Sequence, residues 1–244
     1  MTHAIYLSRI AVLASLIPLA GGIVANWEHK WTTVGGMLWA DFFARATNLT
    51  DEQLGFVAAT YGIVSLEKCW SANDNSVNEI AIPEVANTLK TLNSSIKVLY
   101  YFHSEKSFGN CYMATTWFEQ QPTMYLRDDS GAPYMNGVNH LFDLNQSAVR
   151  EFVATASVNL SGAATLLDGV FADGANDQVS SFPGMAPARF AAYQGVHSSS
   201  LNATRAAVRA AMRPDAALIA NGISNYAING IFNAPFVDGF CFEQ

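Results

Sequence analysis

Two carboxylates occupy matching positions in two short, similar segments of the chain. Asp173 ends the segment 168–173 and Glu243 ends the segment 238–243, and each segment begins with Asp-Gly and continues with apolar residues. In both segments the terminal carboxylate lies five residues after the first Asp. Cleavage of a glycosidic bond requires such a pair, in which one carboxyl group donates a proton and the other acts as nucleophile or base. We therefore predict that Asp173 and Glu243 are a catalytic pair.

Further polar side chains each follow a short apolar segment that is typical of a buried strand: Glu67, His103 and Asn221. The carboxyl ends of the strands carry the active site in barrel enzymes, so we predict that these residues bind substrate. An open α/β sheet also binds ligands at its strand ends. As alternatives, Glu67 can form a local ion pair with Lys68, and the His103 ring can hydrogen-bond to backbone.

Side chains suited to a sugar ligand lie near the same strand ends. Asn176 and Asp177 can hydrogen-bond to sugar hydroxyls. The flat rings of Trp39, Trp70 and Tyr226 can stack on a sugar face. Core packing is the alternative for each ring, because 12% of the residues are aromatic. We predict that all five residues bind substrate.

Strand-like and helix-like segments alternate along the chain, which predicts right-handed βαβ units and a parallel sheet. The predicted strands cover residues 36–43, 62–66, 96–102, 168–173, 217–220 and 237–243. The predicted helices cover residues 50–61, with a capping box at Thr50 and Gln53, then 83–92, 114–121, 145–160 and 187–212. The expected start residues include Pro83 in a first turn and Asn145 as an N-cap. Polar residues at the strand ends favour a (β/α)8 barrel of TIM type over a doubly wound sheet.

The number of strands bears on barrel closure. Six predicted strands are too few for an eight-stranded barrel. The chain ends one residue after Glu243, so we expect an incomplete barrel domain over residues 26–244 that lacks its last two βα units. Its first and last strands are then expected to be exposed edges.

The first 25 residues have the features of a secretory signal peptide. Arg9 precedes an apolar run over residues 10–20, and small residues follow over residues 21–25. We therefore predict a secreted protein, and contact with a membrane only if this segment stays uncleaved as an anchor. Secretion also permits N-glycosylation, for which the chain has five acceptor motifs, at Asn48, Asn93, Asn145, Asn159 and Asn202.

Charge and cysteine content exclude several classes of function. The 13 Lys and Arg residues against 20 Asp and Glu residues leave a net charge of −7, which argues against binding of nucleic acid. The three cysteines and five histidines show no spacing typical of zinc, so we predict no metal and no cofactor. Cys69 and Cys111 each follow a predicted strand, and we predict a disulfide between them.

Five short segments together resemble those of secreted glycosyl hydrolases of TIM-barrel type. They cover residues 65–69, 96–102, 126–131, 168–174 and 220–222. The chain is similar to endo-α-1,4-polygalactosaminidase-like enzymes and, more distantly, to α-galactosidase-like barrels. The resemblance implies a carbohydrate substrate, and it implies that the acidic residue after the fourth strand pairs with the one after the sixth. It thereby assigns Asp173 as nucleophile or charge stabiliser and Glu243 as proton donor.

Two other functions remain open. A metal-dependent lyase or phosphodiesterase would use Glu67, Asp173 and Glu243 to hold Mg²⁺ or Ca²⁺. The chain lacks a glycine-rich phosphate-binding loop and a cluster of basic residues, which argues against it. The second alternative is a sugar-binding protein or inactive barrel fragment without catalysis.

Cleavage of the signal peptide gives a direct test of export. We expect the secreted protein to begin near Asn26, because the small residues that end the apolar run are typical of a cleavage site. Amino-terminal sequencing of protein from the culture medium measures this. Recovery of the chain with an intact Met1 in a membrane fraction would instead show an uncleaved anchor.

Overall fold

The computed structural model describes residues 36–40, 49–68, 77–158, 166–174, 182, 184–221 and 236–241, with backbone alone for 36–40, 110 and 239–241. In chain order its elements are β1 (Gly36–Ala40), α1 (Asp51–Thr60), β2 (Tyr61–Leu66), α2 (Asn78–Leu92), β3 (Lys97–His103), α3 (Met113–Phe118), β4 (Met135–Asn136), β5 (Asn139–His140), α4 (Ser147–Val158), β6 (Gly169–Asp173), α5 (Pro187–Ala211), β7 (Ala217–Asn221) and β8 (Gly239–Cys241). Two short 3-10 helices, Gly109–Cys111 and Pro122–Met124, lie between β3 and β4.

Six strands form one sheet in the order β1-β2-β3-β6-β7-β8, and every neighbouring pair is parallel. They coincide with the six strands predicted from the sequence. The sheet is that of a partial TIM-barrel-like α/β fold. It is not closed within the described residues, where β1 and β8 each have a single neighbour. The short strands β4 and β5 form a separate antiparallel hairpin between β3 and α4.

Strand β3 lies in the middle of this sheet, between β2 and β6. All of its side chains except that of Lys97 are buried. A parallel strand covered on both faces has a nearly continuous apolar sequence, which is why this segment is the clearest strand signal in the chain.

Two helix starts show where local sequence rules hold and where tertiary contacts override them. The capping box before α1 is confirmed, because Gln53 N donates to Thr50 Oγ1 and Thr50 N donates to Gln53 Oε1. The predicted start of α2 at Pro83 is wrong, since the helix begins at Asn78 and Pro83 lies inside it. Asn78 is fully buried and its Nδ2 donates to the backbone oxygen of Glu67 at 3.2 Å, so a contact outside the helix stabilises the earlier start.

The predicted N-cap at Asn145 is also wrong. Helix α4 begins at Ser147, and the Asn145 side chain lies against a different helix. Its Oδ1 accepts a hydrogen bond from Ser200 Oγ of α5 at 2.9 Å. Asn145 therefore connects the segment just before α4 to α5.

The two Asp-Gly pairs of the sequence have the same structural role. Asp168 precedes β6, and its Oδ2 accepts from the N–H of Val98, the second residue of β3, at 2.8 Å. Asp238 precedes β8, and its Oδ2 accepts from the N–H of Leu218, the second residue of β7, at 2.8 Å. Each carboxylate also pairs with cations, Lys90 and Lys97 for Asp168 and Arg209 for Asp238. Both acidic residues thus secure the start of the neighbouring strand, at the end of the sheet opposite Asp173.

Replacing Asp168 should destabilise the fold. Asp168→Ala leaves the Val98 N–H without its acceptor and two lysines without their shared carboxylate, so we expect the free energy of unfolding to fall by about 1–3 kcal/mol. Urea unfolding measures the change. Asp215→Ala is the matched control, because Asp215 is 79% exposed and its contact with Arg213 is 3.4 Å long, so its loss should have no measurable effect. Equal stability of the two variants would refute the structural role of Asp168.

Candidate functional site

The candidate site is centred on the Asp173 carboxylate at the carboxyl end of β6. Its Oδ1 accepts hydrogen bonds from Gly174 N at 2.8 Å and from Asn221 Nδ2 at 2.9 Å. Its Oδ2 accepts a hydrogen bond from the Tyr101 hydroxyl. These donors come from three neighbouring strands or their ends, β3, β6 and β7. The parallel order of the sheet is therefore what brings them to one carboxylate.

The surroundings of Asp173 favour its ionised form. Burial by itself raises the pKa of Asp173, but the attraction of a protonated His103 and the hydrogen bonds from Tyr101, Gly174 and Asn221 lower it more strongly. The pKa of the carboxyl group is therefore below its usual value. At neutral pH the His103 ring carries no charge, so the hydrogen bonds are then what stabilises the carboxylate.

His103 lies opposite Asp173 in the register of β3 and β6. Burial lowers the pKa of His103 to about 3, and repulsion from Lys106 and Lys68 adds to this while Asp173 opposes it. The Nδ1 atom accepts a hydrogen bond from Glu105 N at 3.1 Å, which assigns the proton of the neutral ring to Nε2. The ring thus bonds to backbone, as the alternative interpretation expected, and keeps an N–H donor at the end of β3.

Gly174 follows Asp173 directly and allows the His103 ring to lie beside it. Its φ is +68°, in the left-handed region that favours glycine. A Cβ atom at this position would lie 2.2 Å from His103 Cε1. Only a residue without a side chain fits there while the ring keeps its place.

Glu67 is placed differently from the prediction. The residue is fully buried and its carboxylate forms an ion pair with Lys68. The ion pair is the one that the alternative interpretation expected, and the predicted contact of Glu67 with substrate stays a prediction. The Lys68 Nζ lies 4.9 Å from the ring centroid of Tyr101, the residue that donates to Asp173. Glu67 thus pairs with a lysine that lies near the Tyr101 ring of the site.

The remaining predicted site residues divide into two groups. Asn221 is fully buried and donates to Asp173, so it positions the carboxylate, and Trp39 lies in β1 opposite Ser65 in register. The others lie outside the described residues: Trp70, Asn176, Asp177, Tyr226 and Glu243. The pairing of Asp173 with Glu243 stays a prediction. Within the part of the chain that the structure describes, no three His, Cys, Asp or Glu side chains converge as a metal site.

Sequence reasoning missed two residues of the site, Tyr101 and Glu105. Both are separated from His103 by two positions. The alternation of side chains along a strand would place Tyr101 on the same face of the sheet as His103.

The Glu105 Oε1 lies 3.1 Å from His197 Nε2 of α5, and the Glu105 side chain is 24% exposed. Burial raises the pKa of Glu105 and the charge of Asp173 raises it further, against the opposing effect of His197. Glu105 is therefore a carboxyl group that retains its proton more readily than usual.

The predictions that concern export and covalent modification are only partly covered by the described residues. Cys111 is disulfide-bonded, but Cys69 lies outside the described residues, so the pairing of these two cysteines stays a prediction. The predicted signal peptide also lies outside them, as do two of the predicted acceptor asparagines, Asn48 and Asn159. Asn145 is exposed, whereas Asn93 and Asn202 are half-buried. None of the helices in the described part is long and apolar enough to span a bilayer.

Substitution of Gly174 tests the packing of His103 in the site. Gly174→Ala should lower the free energy of unfolding by about 1–2 kcal/mol through backbone strain, with a further loss from the clash with the ring. Gly131→Ala is the matched control, because Gly131 also has a positive φ of +85° but a Cβ there meets nothing within 4 Å. Urea unfolding and the NMR signals of the His103 ring measure the two effects. If both variants lose the same stability and the ring signals do not move, the close contact with His103 is wrong.

Comparison with known proteins adds evidence on the fold. No protein-family model matches the chain. No curated protein matches it either. Among solved structures, the GH36 alpha-galactosidase AgaA from Geobacillus stearothermophilus is similar with a TM-score of 0.57 and 12% identity, over 85% of this chain and 30% of that chain. The GH36 alpha-galactosidase AgaB from the same organism is similar with a TM-score of 0.50 and 12% identity, over 76% of this chain and 27% of that chain.

A variant of AgaA in complex with raffinose gives a TM-score of 0.57 at 12% identity, over 85% of this chain and 30% of that chain. The chain thus spans about a third of the length of these α-galactosidases. At such low identity the likeness concerns the fold. The chain has a partial TIM-barrel-like α/β fold of the kind found in α-galactosidases.

Proposed function

We propose that this protein is a secreted glycoside hydrolase in which Asp173 is the central catalytic carboxylate. The observation that carries the proposal is a partly buried carboxylate that accepts three hydrogen bonds at the carboxyl end of a barrel-type strand and whose pKa is lowered. Catalytic groups of TIM-barrel enzymes occupy this end of the strands. A carboxylate that stays ionised can attack or stabilise the positively charged anomeric carbon in glycoside cleavage.

The proposed proton donor is Glu243. The shared role of Asp168 and Asp238 supports this, because each carboxylate holds the start of the strand before it. Glu243 follows Asp238 at the same distance along the chain as Asp173 follows Asp168. This equivalence supports two carboxyl groups at one end of the sheet, on strands separated only by β7.

Glu105 is the competing candidate for the donor. Its pKa is raised while that of Asp173 is lowered, and two carboxyl groups whose environments separate their pKa values are suited to acid and nucleophile roles. The tests of the donor therefore include both glutamates.

The proposed substrates are oligosaccharides or polysaccharides with O-glycosidic bonds, α-galactosides in the first place. Structures with the similar fold hold raffinose in one AgaA variant and stachyose in another. The neutral His103 ring offers an N–H donor beside Asp173, which suits a sugar hydroxyl. A galactosamine polymer is the second substrate class to test, because of the resemblance in sequence.

Removal of either proposed catalytic carboxylate should abolish turnover. We expect Asp173→Asn to lose nearly all hydrolysis of raffinose or an aryl α-galactoside while it still folds, since the amide is a poor nucleophile and carries no charge. Glu243→Gln should lose most activity on raffinose but much less on an aryl glycoside whose leaving group needs no proton. Initial rates measure both effects.

Two further variants are needed to interpret these rates. Asp215→Asn, at an exposed position just before β7 and at the end of the sheet opposite Asp173, should hydrolyse both substrates at the wild-type rate. Glu105→Gln identifies the donor: if it shows the dependence on leaving group and Glu243→Gln does not, the donor is Glu105. Near-full activity of Asp173→Asn would refute the proposed role of Asp173.

The competing functions have distinct outcomes. Loss of hydrolysis on addition of a chelator, with recovery on addition of Mg²⁺, would favour the metal-dependent alternative. Binding to a glycan array without turnover of any bound sugar would favour the non-catalytic alternative. The anomer of the first product distinguishes retention from inversion, which correspond to carboxyl separations of about 5–5.5 Å and about 6.5–9.5 Å.

A further inference from the structure

The two oxygens of the Asp173 carboxylate are not equivalent. Each carboxylate oxygen can accept about two hydrogen bonds through its lone pairs. Oδ1 accepts two, from Gly174 N and Asn221 Nδ2, at 2.8 and 2.9 Å. Oδ2 accepts one, from the Tyr101 hydroxyl. Among the described residues, one lone pair of Oδ2 is therefore left for a reacting atom, whereas both of Oδ1 are engaged.

Tyr101 is fixed in place on several sides. The residue is fully buried in β3, and its ring stacks on Phe171 with centroids 6.0 Å apart and planes at 22°. Its backbone oxygen accepts a hydrogen bond from the Tyr112 hydroxyl at 2.9 Å. The Lys68 Nζ lies 4.9 Å from its ring centroid. The hydroxyl therefore has little freedom to leave Asp173.

We propose that Tyr101 is a positioning residue that orients Asp173 so that Oδ2 is the attacking oxygen of a retaining glycosidase. This inference rests on the proposed function. Oδ2 forms a bond to the anomeric carbon, and the bond from that carbon to the leaving oxygen breaks with its electron pair. The leaving oxygen takes a proton from the general acid, and water later hydrolyses the glycosyl ester. Tyr101 keeps its proton throughout and donates to Oδ2.

The chemistry of the phenol is consistent with this role. Burial raises the pKa of the Tyr101 hydroxyl, and the charge of Asp173 raises it further, so the group remains a donor across the working pH range. A donor that faces the ionised form lowers the pKa of a carboxyl group. Tyr101 therefore keeps Asp173 ionised and its free lone pair aimed in one direction.

The test compares Tyr101→Phe with Tyr100→Phe. Tyr100 precedes Tyr101 in β3 and is also buried. The Tyr100 hydroxyl has no hydrogen-bond partner in the part of the chain that the structure describes. Tyr101→Phe should raise the pKa of Asp173, because a donor to the charged form is lost. The acid limb of kcat/KM should move to higher pH, and kcat/KM at the optimum should fall about tenfold to a hundredfold. Tyr100→Phe should change neither.

Carbon-13 NMR titration of the Asp173 carboxyl group supplies a readout that needs no turnover. In Tyr101→Phe its midpoint should lie above that of the wild type, and in Tyr100→Phe it should not move. An unchanged midpoint in a folded Tyr101→Phe variant would overturn the positioning role even if the protein is an active glycosidase. If Tyr101→Phe does not fold, the Tyr101 ring resonances of the wild-type protein decide, since they should move as Asp173 titrates.

Mass spectrometry of the enzyme during turnover tests whether the Asp173 carboxylate is the attacking group. A glycosyl adduct on Asp173 supports attack by its carboxylate. Hydrolysis with inversion and without an adduct would overturn this inference while the proposed glycosidase function stands. The absence of any hydrolysis, with the expected NMR shift in Tyr101→Phe, would instead refute the proposed function and keep the positioning of the carboxylate.

Discussion

The partly buried negative charge of Asp173 is the feature on which the carboxyl end of the sheet depends. A carboxylate removed from water is costly unless hydrogen bonds replace its hydration. Here the replacement comes from Tyr101 on β3, Gly174 after β6 and Asn221 on β7. These groups reach one carboxylate only because β3, β6 and β7 are adjacent and parallel. The same constraint explains why Asn221 is fully buried and why Gly174 leaves room for the His103 ring.

The opposite end of the sheet uses acidic residues for a different purpose. Asp168 and Asp238 accept from backbone N–H groups of neighbouring strands and pair with nearby cations. Their charges are neutralised by fixed partners, whereas the groups that donate to Asp173 within the described part of the chain are neutral. A structural carboxylate thus precedes β6, and the carboxylate of the proposed site ends it. This division matches the general separation of stability and chemistry between the two ends of barrel strands.

The titratable groups beside Asp173 are separated by their surroundings. His103 is neutral because it is buried, and Glu105 retains its proton more readily because burial and the charge of Asp173 disfavour its ionised form. The pKa of Asp173 is lowered although burial raises it, because the charge of a protonated His103 and the hydrogen bonds from Tyr101, Gly174 and Asn221 together favour the ionised form. One ionised carboxylate, one neutral N–H donor and one carboxyl group with a raised pKa provide the elements that glycoside cleavage requires.

The sequence by itself determined the six strands, the alternation of strands and helices, the capping box at Thr50 and the place of Asp173 at a strand end, because these features depend on residues close together in the chain. Only the tertiary structure decided which residues support Asp173. Tyr101 lies 72 positions before it and Asn221 lies 48 positions after it, and their contacts follow from strand order rather than from local pattern. The burial of Glu67 and the early start of α2 at Asn78 have the same origin. Packing between distant segments determines what such side chains contact, and a local pattern of residue types does not predict those contacts.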